Sequence, residues 1–260
     1  MDGSLGPAAS TPEPSSSEED AQLRSSLDAL ARLGSRGLDL EQLLIRVATL
    51  AVRAIPGADG AGLTLLELGR SDTTVATADF VSEVDTVQYG IGQGPCLIAT
   101  AEDRPVVSGS LGADPRWKAF GSRAARLGVH SVLSLPLRTP EDVVGVVTVY
   151  ARAKHRFDDR AVELGELFAG PAAIAVQNAH VLAQARRLAG QLQTTLEQYR
   201  VVHQAVGIML SRSGGTAEEA LDRLRRRSQA EHRKLPAVAQ TLVDEAVRRA
   251  GQRRPDAAGG

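Results

Sequence analysis

Residues 192–247 read LQTTLEQYRVVHQAVGIMLSRSGGTAEEALDRLRRRSQAEHRKLPAVAQTLVDEAV, an amphipathic run from Leu192 to Leu210 that breaks at Gly214-Gly215 and restarts at Thr216. The two glycines tolerate positive φ at a helix end, and Thr216 followed by Glu219 has the spacing of a capping box, so a second helix is expected from about Ala217. Leu235-Pro236 opens a third, because proline suits a first turn, where its missing N–H would have no partner anyway. Ala220, Leu221, Leu224 and Ser228 line one face of the second helix, and Val238, Ala239, Leu242, Val243 and Ala246 form the stripe of the third. Three short helices packed together follow from this pattern, with Ala205, Gly207 and Ala220 small enough for close approach.

The same quarter of the chain is basic. Residues 186–254 hold 14 Lys+Arg against 7 Asp+Glu, a net of +7, which leaves 16 against 24, a net of −8, for the rest of a chain whose formal charge is −1. A basic module on an acidic body points to a polyanionic partner for that module alone; the plainer reading is a solvated, arginine-rich face. Arg200, Arg212, Arg225, Arg226, Arg227, Arg233 and Lys234 are the candidate phosphate contacts, because guanidinium groups grip phosphate oxygens in bidentate fashion.

Of the 260 residues 43% are hydrophobic and 23% charged, and no apolar run approaches the roughly 18 residues of a membrane span. The acidic N-terminal segment has neither a basic start nor an apolar core, so it reads as no secretory or transit signal, and a cytoplasmic location is expected. The single cysteine, Cys96, excludes an internal disulfide framework and any site of two thiolates. Residues 1–20, rich in Ser, Pro and acid, are expected to be a disordered tail, as are 251–260. A helix is expected within 21–37, carried by Leu23, Leu27, Leu30 and Leu33, and another over Leu40 to Ile55. Short β-forming runs follow at Gly60 to Leu68, Thr73 to Phe80, Pro105 to Ser108, Ser131 to Leu137 and Val143 to Tyr150, giving an α+β body with a sheet interrupted by helices. The segment from Val81 to Arg104 reads as a long connection.

From Asp159 the chain reads as helix for a long way. Leu164, Phe168, Ala175, Asn178, Leu182, Ala185, Leu192, Leu196 and Tyr199 recur about every 3.5 residues, the repeat that a paired helix buries. Gly170-Pro171 interrupts the pattern and can kink the helix. Up to about residue 180 the stripe can equally cover its own sheet; beyond it, a homodimer through the helix around residues 182–199 is expected. No metal cluster, catalytic triad or phosphate-cradling glycine loop is present in a convincing setting, so no catalytic or metal site is assigned and the chain is not expected to be an enzyme.

Arg200, Gln204-Ala205, Gly207-Ile208-Met209, Ala220, Leu224, Ser228 and Lys234-Leu235 together make residues 192–247 resemble the ANTAR domain, the RNA-binding module of bacterial antitermination regulators. One departure is Val206, where many members carry lysine. GQGPC (92–96), DPRW (114–117), the GVHSVLSLPL run (128–137) and the VVGVVTVYA strand (143–151) make residues 38–180 resemble the GAF domains joined to ANTAR modules in actinobacteria. The resemblance implies a GAF domain over 38–180 with an antiparallel sheet flanked by helices, a helical linker over 181–191 and a three-helix ANTAR domain over 192–250. It implies binding to small-loop hairpins in leader transcripts, with Gln204, Ser228, His232 and the cations above as the residues in contact with RNA. A-form RNA hides its bases in a narrow groove, so unpaired loop bases are the sensible target. The resemblance also implies a pocket for a small molecule, to which Cys96, Trp117 and His130 are the candidate lining. No ligand or cofactor is named by these residues: the bilin and cyclic-nucleotide signatures are missing, and His130 or His155 as a haem ligand competes with an ordinary structural role. A protein-binding role for the helical C-terminus is the alternative to RNA.

Overall fold

Alternating apolar residues in the middle of the chain pair into one sheet. The computed structural model describes residues 15–33, 37–67 and 70–252. In it β1 (Gly60–Glu67), β2 (Arg70–Ala76), β3 (Val106–Ser108), β4 (Ser131–Arg138) and β5 (Val143–Ala151) lie in the order β2-β1-β5-β4-β3, each neighbouring pair antiparallel. The chain divides into two compact units, Met1–Ala183 and Gln184–Gly260.

In the first unit the period of two along each strand sorts side chains onto two faces. Leu63, Leu65, Leu133, Leu135, Leu137, Val147 and Val149 point to one of them, where α1 (Ser16–Ala31), α2 (Leu40–Ala54) and the start of α6 (Asp159–Ser213) cover them. Helix α2 is set by a capping box: Asp39 Oδ1 accepts from the Gln42 N–H at 2.8 Å, and Gln42 Oε1 accepts from the Asp39 N–H at 3.4 Å. The opposite face carries Val132, Val146 and Tyr150 together with the hydroxyls of Thr64, Ser134 and Thr148, all buried. It is covered by α3 (Asp79–Ile91), α4 (Pro95–Glu102) and α5 (Lys118–Arg126) through Val81, Val84, Ala99, Phe120 and Ala124. Because both faces are covered, β5 reads as a nearly unbroken apolar run rather than an alternating one.

Several expectations are corrected here. The connection from Val81 to Arg104 is two helices, since Val81, Val84 and Gln88 recur at helical spacing and Gly94-Pro95 starts a new first turn. The strand expected to reach Phe80 stops at Ala76, and Phe80 belongs to α3. The tail expected over 1–20 is helical from Ser16, where Glu19 and Asp20 meet the Arg160 guanidinium; α1 in turn ends at Ala31. Helix α8 (Leu235–Gln252) runs through Gly251 and Gln252, which were expected to be tail; the remaining tail residues, 1–14 and 253–260, lie outside the described residues. Helix α6 continues through Pro171 without interruption. Leu164 and Phe168 are fully buried against their own sheet and so cannot belong to a seam between copies.

The second unit consists of the C-terminal part of α6, α7 (Ala217–Ala230) and α8. Ala205, Leu224, Val238 and Ala239 are its buried centre, ringed by Val201, Met209, Leu242 and Val243. Ala220 is fully buried, but Gly207 is exposed and a Cβ there would meet no atom within 4 Å, so it mediates no close approach. No helix among the described residues is long and apolar enough to cross a membrane.

Candidate functional site

The basic unit is built from its turns. Gly214 and Gly215 take φ of 64° and 92°, which end α6, and the Gly214 N–H donates to the Leu210 carbonyl at 2.9 Å. Helix α7 then starts on a complete capping box: Thr216 Oγ1 accepts from the Glu219 N–H at 3.2 Å and Glu219 Oε2 accepts from the Thr216 N–H at 3.1 Å. At the other end of α7, His232 takes a positive φ of 51°, and the Ser228 hydroxyl donates to the Arg233 carbonyl at 2.5 Å. Ser228 and His232 thus shape the turn from which Arg233 and Lys234 project, Ser228 through its hydroxyl and His232 through its backbone alone, its side chain remaining exposed.

The cations fall into two classes. Arg227 donates to Glu231 at 2.6 Å, Arg225 to Asp222 at 3.3 Å, and Arg233 to Glu231 at 3.3 Å and to the Thr241 hydroxyl at 3.2 Å. Arg200, Arg212, Arg226 and Lys234 are exposed, and among the described residues no side chain or carbonyl pairs with them. Exposed pairs contribute about 0–1 kcal/mol, so the first class can exchange carboxylate for phosphate at little cost, while the second is already free to bind. Gln204 and Arg212 come together at a shallow recess of about 480 Å³ between α6 and α8, with Gly207, Ile208 and Ser211. Arg225 instead borders a larger apolar groove of about 740 Å³ with Tyr199, Val206, Leu221 and Leu235. Val206, the departure from the ANTAR pattern, is buried. One residue was missed: the Nε and Nη2 donors of Arg223 are buried without an acceptor. Its place beside Leu224, at the edge of the apolar stripe of α7, was the available signal.

In the first unit the three pocket candidates separate. Cys96 and Trp117 are buried in the same cluster, with the Arg116 guanidinium 4.2 Å from the centre of the Trp117 ring. His130 is only half-buried, and its backbone extends the sheet by donating to Ala151 at 2.9 Å and accepting from the Leu111 N–H at 2.8 Å. His155 packs on the Gly109 backbone, its N–H bonded to that carbonyl at 2.7 Å. Among the described residues no group of three or more potential ligands could hold a metal ion.

Around Cys96 lies a buried polar network that the sequence did not reveal. The Tyr89 hydroxyl donates to Thr64 Oγ1 at 2.7 Å and lies 3.3 Å from Cys96 Sγ; the Cys96 N–H donates to Gln88 Oε1 at 3.2 Å. Tyr150 donates to Asp85 Oδ1 at 2.5 Å, and Gln88 Nε2 is buried with no acceptor. Burial pushes the Cys96 thiol up to about 11, so at neutral pH it is a thiol and a poor nucleophile. Burial also raises Asp85 to about 7, against the opposing pull of the Tyr150 hydrogen bond.

A stability consequence follows for Asp85. Between pH about 4 and about 7 the folded chain keeps this proton and the unfolded chain releases it, so stability falls as pH rises across that window, by up to about 4 kcal/mol. Asp85→Asn keeps an acceptor for Tyr150 and is expected to remove this slope and to exceed the parent in stability above pH 7. Denaturant titrations at pH 4.5, 6 and 8 check it; parallel pH profiles for the two proteins would refute the buried neutral acid.

Residues 37–177 match the GAF domain family and residues 190–243 match the ANTAR domain. No curated protein matches the chain. Solved structures similar to it include the GAF domain of a phosphoenolpyruvate-protein phosphotransferase from Coxiella burnetii, 16% identical, covering 63% of this chain and 98% of that one with a TM-score of 0.46. Free methionine-R-sulfoxide reductase from Neisseria meningitidis is 18% identical, with coverage of 69% and 98% and a TM-score of 0.45. The reduced fRMsr of Staphylococcus aureus is 17% identical, with coverage of 65% and 99% and a TM-score of 0.46.

Proposed function

The chain belongs to the GAF domain family and joins its GAF domain to an ANTAR output domain in one signalling regulator, and from that premise we propose that the output is RNA binding that controls transcription antitermination. The observation that carries this reading is the exposed surface of a module with net positive charge, on which the candidate cations Arg200, Arg212, Arg226 and Lys234 have no partner among the described residues. Phosphate contacts supply most of the affinity of such a surface, and Arg225, Arg227 and Arg233 join them by releasing their carboxylates. Gln204, beside Arg212, is suited to hydrogen-bond an unpaired loop base. The RNA is a small-loop hairpin in a leader transcript, whose capture prevents a terminator from forming. Nascent transcripts are met in the cytoplasm, which is where this function operates. The GAF domain supplies the input, through a small molecule held near the Asp85, Gln88, Tyr89 and Cys96 network.

The test is binding of the full chain to a tandem small-loop hairpin and to a loop-scrambled control across a salt series. Loop-dependent affinity that falls steeply with salt is the expected result. Failure to bind either RNA at low salt would defeat this reading and favour a protein partner for the helical C-terminus.

A further inference from the structure

Helices α1 and α2 bury Leu30, Leu33, Val47 and Leu50 in one cluster of the first unit, and two recesses open along the line where they meet. The smaller, about 170 Å³, is lined by buried Leu33 and Leu50 and by three exposed arginines, Arg32, Arg46 and Arg53, with Thr49 between the last two on α2. The larger, about 500 Å³, is lined by Glu18, Gln22 and Ser25 of α1 and by Arg53 and Pro56. Glu18, Gln22, Ser25, Ala29 and Arg32 follow one another at steps of three or four, so the two recesses are successive stretches of one face of α1, and Arg53 borders both. This concentration of positive charge stands out on a body in which acids outnumber bases, because no carboxylate lines the smaller recess. Arg46 and Arg53, seven residues apart on one face of α2, have no hydrogen-bond or ion-pair partner among the described residues. The Thr49 hydroxyl donates to the Ile45 carbonyl at 2.8 Å, which leaves the guanidiniums as the donors of this recess.

We propose that the smaller recess is an oxyanion site that takes a phosphate group, either free or as the head of a phosphomonoester whose polar body lies along the larger recess. Size and charge both select this ligand. A volume of about 170 Å³ holds about five water-sized groups, and a phosphate is four oxygens around one phosphorus. Like charges around one recess repel, and an anion among them replaces that repulsion with attraction. The planar fork of a guanidinium grips two phosphate oxygens at once, a geometry that lysine cannot supply. Exposed Gln22 and Ser25 offer an amide and a hydroxyl to the body of a larger ligand. A phosphate held by Arg32 of the α1 end and by Arg46 and Arg53 of α2 ties together two of the helices that cover the sheet. The network around Cys96 lies on the opposite face of that sheet, so this is a separate site on the first unit. It does not rest on the RNA reading.

Calorimetric titration of the full chain with inorganic phosphate, at an ionic strength held constant with chloride, tests it. Phosphate should bind the parent and, with equal affinity, a full-length chain in which Arg200, Arg212, Arg226 and Lys234 are alanine, which removes the basic C-terminal surface as the source of the signal. Arg46→Gln with Arg53→Gln should raise the dissociation constant at least about 30-fold, because two charge-assisted contacts are lost. The unliganded melting temperature of that variant should stay close to the parent's, since both side chains are exposed and have no partner among the described residues. Arg53→Lys, which keeps the charge and loses the fork, should weaken binding several-fold and serves as the milder variant. Ribose 5-phosphate separates the two sources: binding tighter than that of inorganic phosphate assigns the site to a monoester, and equal binding assigns it to the free anion. No binding of phosphate by the parent at about 10 mM, or undiminished binding by the folded Arg46→Gln, Arg53→Gln chain, would overturn the proposal, whatever the RNA result.

Discussion

Replacing Arg200, Arg212, Arg226 and Lys234 together with alanine is expected to weaken hairpin binding about a thousandfold and to flatten its dependence on salt, with no loss of fold. Each position offers a charge-assisted phosphate contact worth on the order of 1 kcal/mol, and four of them come to about three decades in affinity. The slope of log affinity against log salt should fall by about three, at roughly 0.7–0.9 per contact. None of the four has a partner to lose among the described residues, so the melting temperature should stay close to that of the parent. The contrasting set, Arg225→Ala, Arg227→Ala and Arg233→Ala, first loses pairs with Asp222 and Glu231, and its effect on binding should be smaller because those carboxylates already compete for the charge. Equal losses for the two sets would show that intramolecular pairing does not govern which cations meet RNA. Unchanged binding by the folded quadruple variant would remove these residues from the site.

Gly121→Ala is expected to destabilise the first unit by about 3 kcal/mol and lower its melting temperature by about 10 °C. Helix α5 crosses the short 3-10 turn Leu111–Ala113 at this glycine, and a Cβ there would collide with the Leu111 carbonyl oxygen and lie 2.8 Å from its carbonyl carbon. The obstacle is backbone, so no rotamer change relieves it. The turn is also anchored, because the Leu111 N–H donates to the His130 carbonyl beside β4 and the Leu111 side chain is fully buried. Gly90→Ala is the control of opposite sign. Gly90 lies in the last turn of α3, and a methyl added there would meet no atom within 4 Å, so alanine should gain about 0.5 kcal/mol from helix propensity. Calorimetry of the three proteins decides the matter; a Gly121→Ala variant melting within 2 °C of the parent would mean that α5 does not close on that turn.

The contrast between these glycines shows where sequence reading reaches its limit. Gly214 and Gly215 can be interpreted from their neighbours, because helix termination and the Thr216–Glu219 box are settled within a few residues. Gly121 cannot, since its obstacle comes from a separate element. Gly207 misleads for the same reason: small size permits close packing but does not bring a neighbour into contact. Ser228 and His232 read as surface groups, and spacing did not show that the Ser228 hydroxyl and the left-handed His232 backbone also build the turn after α7. The i,i+4 pairing of Arg227 with Glu231 is also legible from spacing, and it separates bound from free cations.

The sequence alone determined the order of the two modules, the strand runs, the helix starts at Leu40, Ala217 and Leu235, and the charge asymmetry, because each depends on residue type and short-range periodicity. It also identified the GAF and ANTAR resemblances. Only the tertiary structure decided which phase of α6 faces its own sheet, since Leu164 and Phe168 on one side and Leu167 and Ile174 on the other satisfy the same helical repeat. Only the fold could bring Asp85 to Tyr150 across 65 residues and close the network around Cys96. Those contacts depend on strand register and on helices in a segment that read only as a long connection, and neither is encoded in the spacing of the residues that meet.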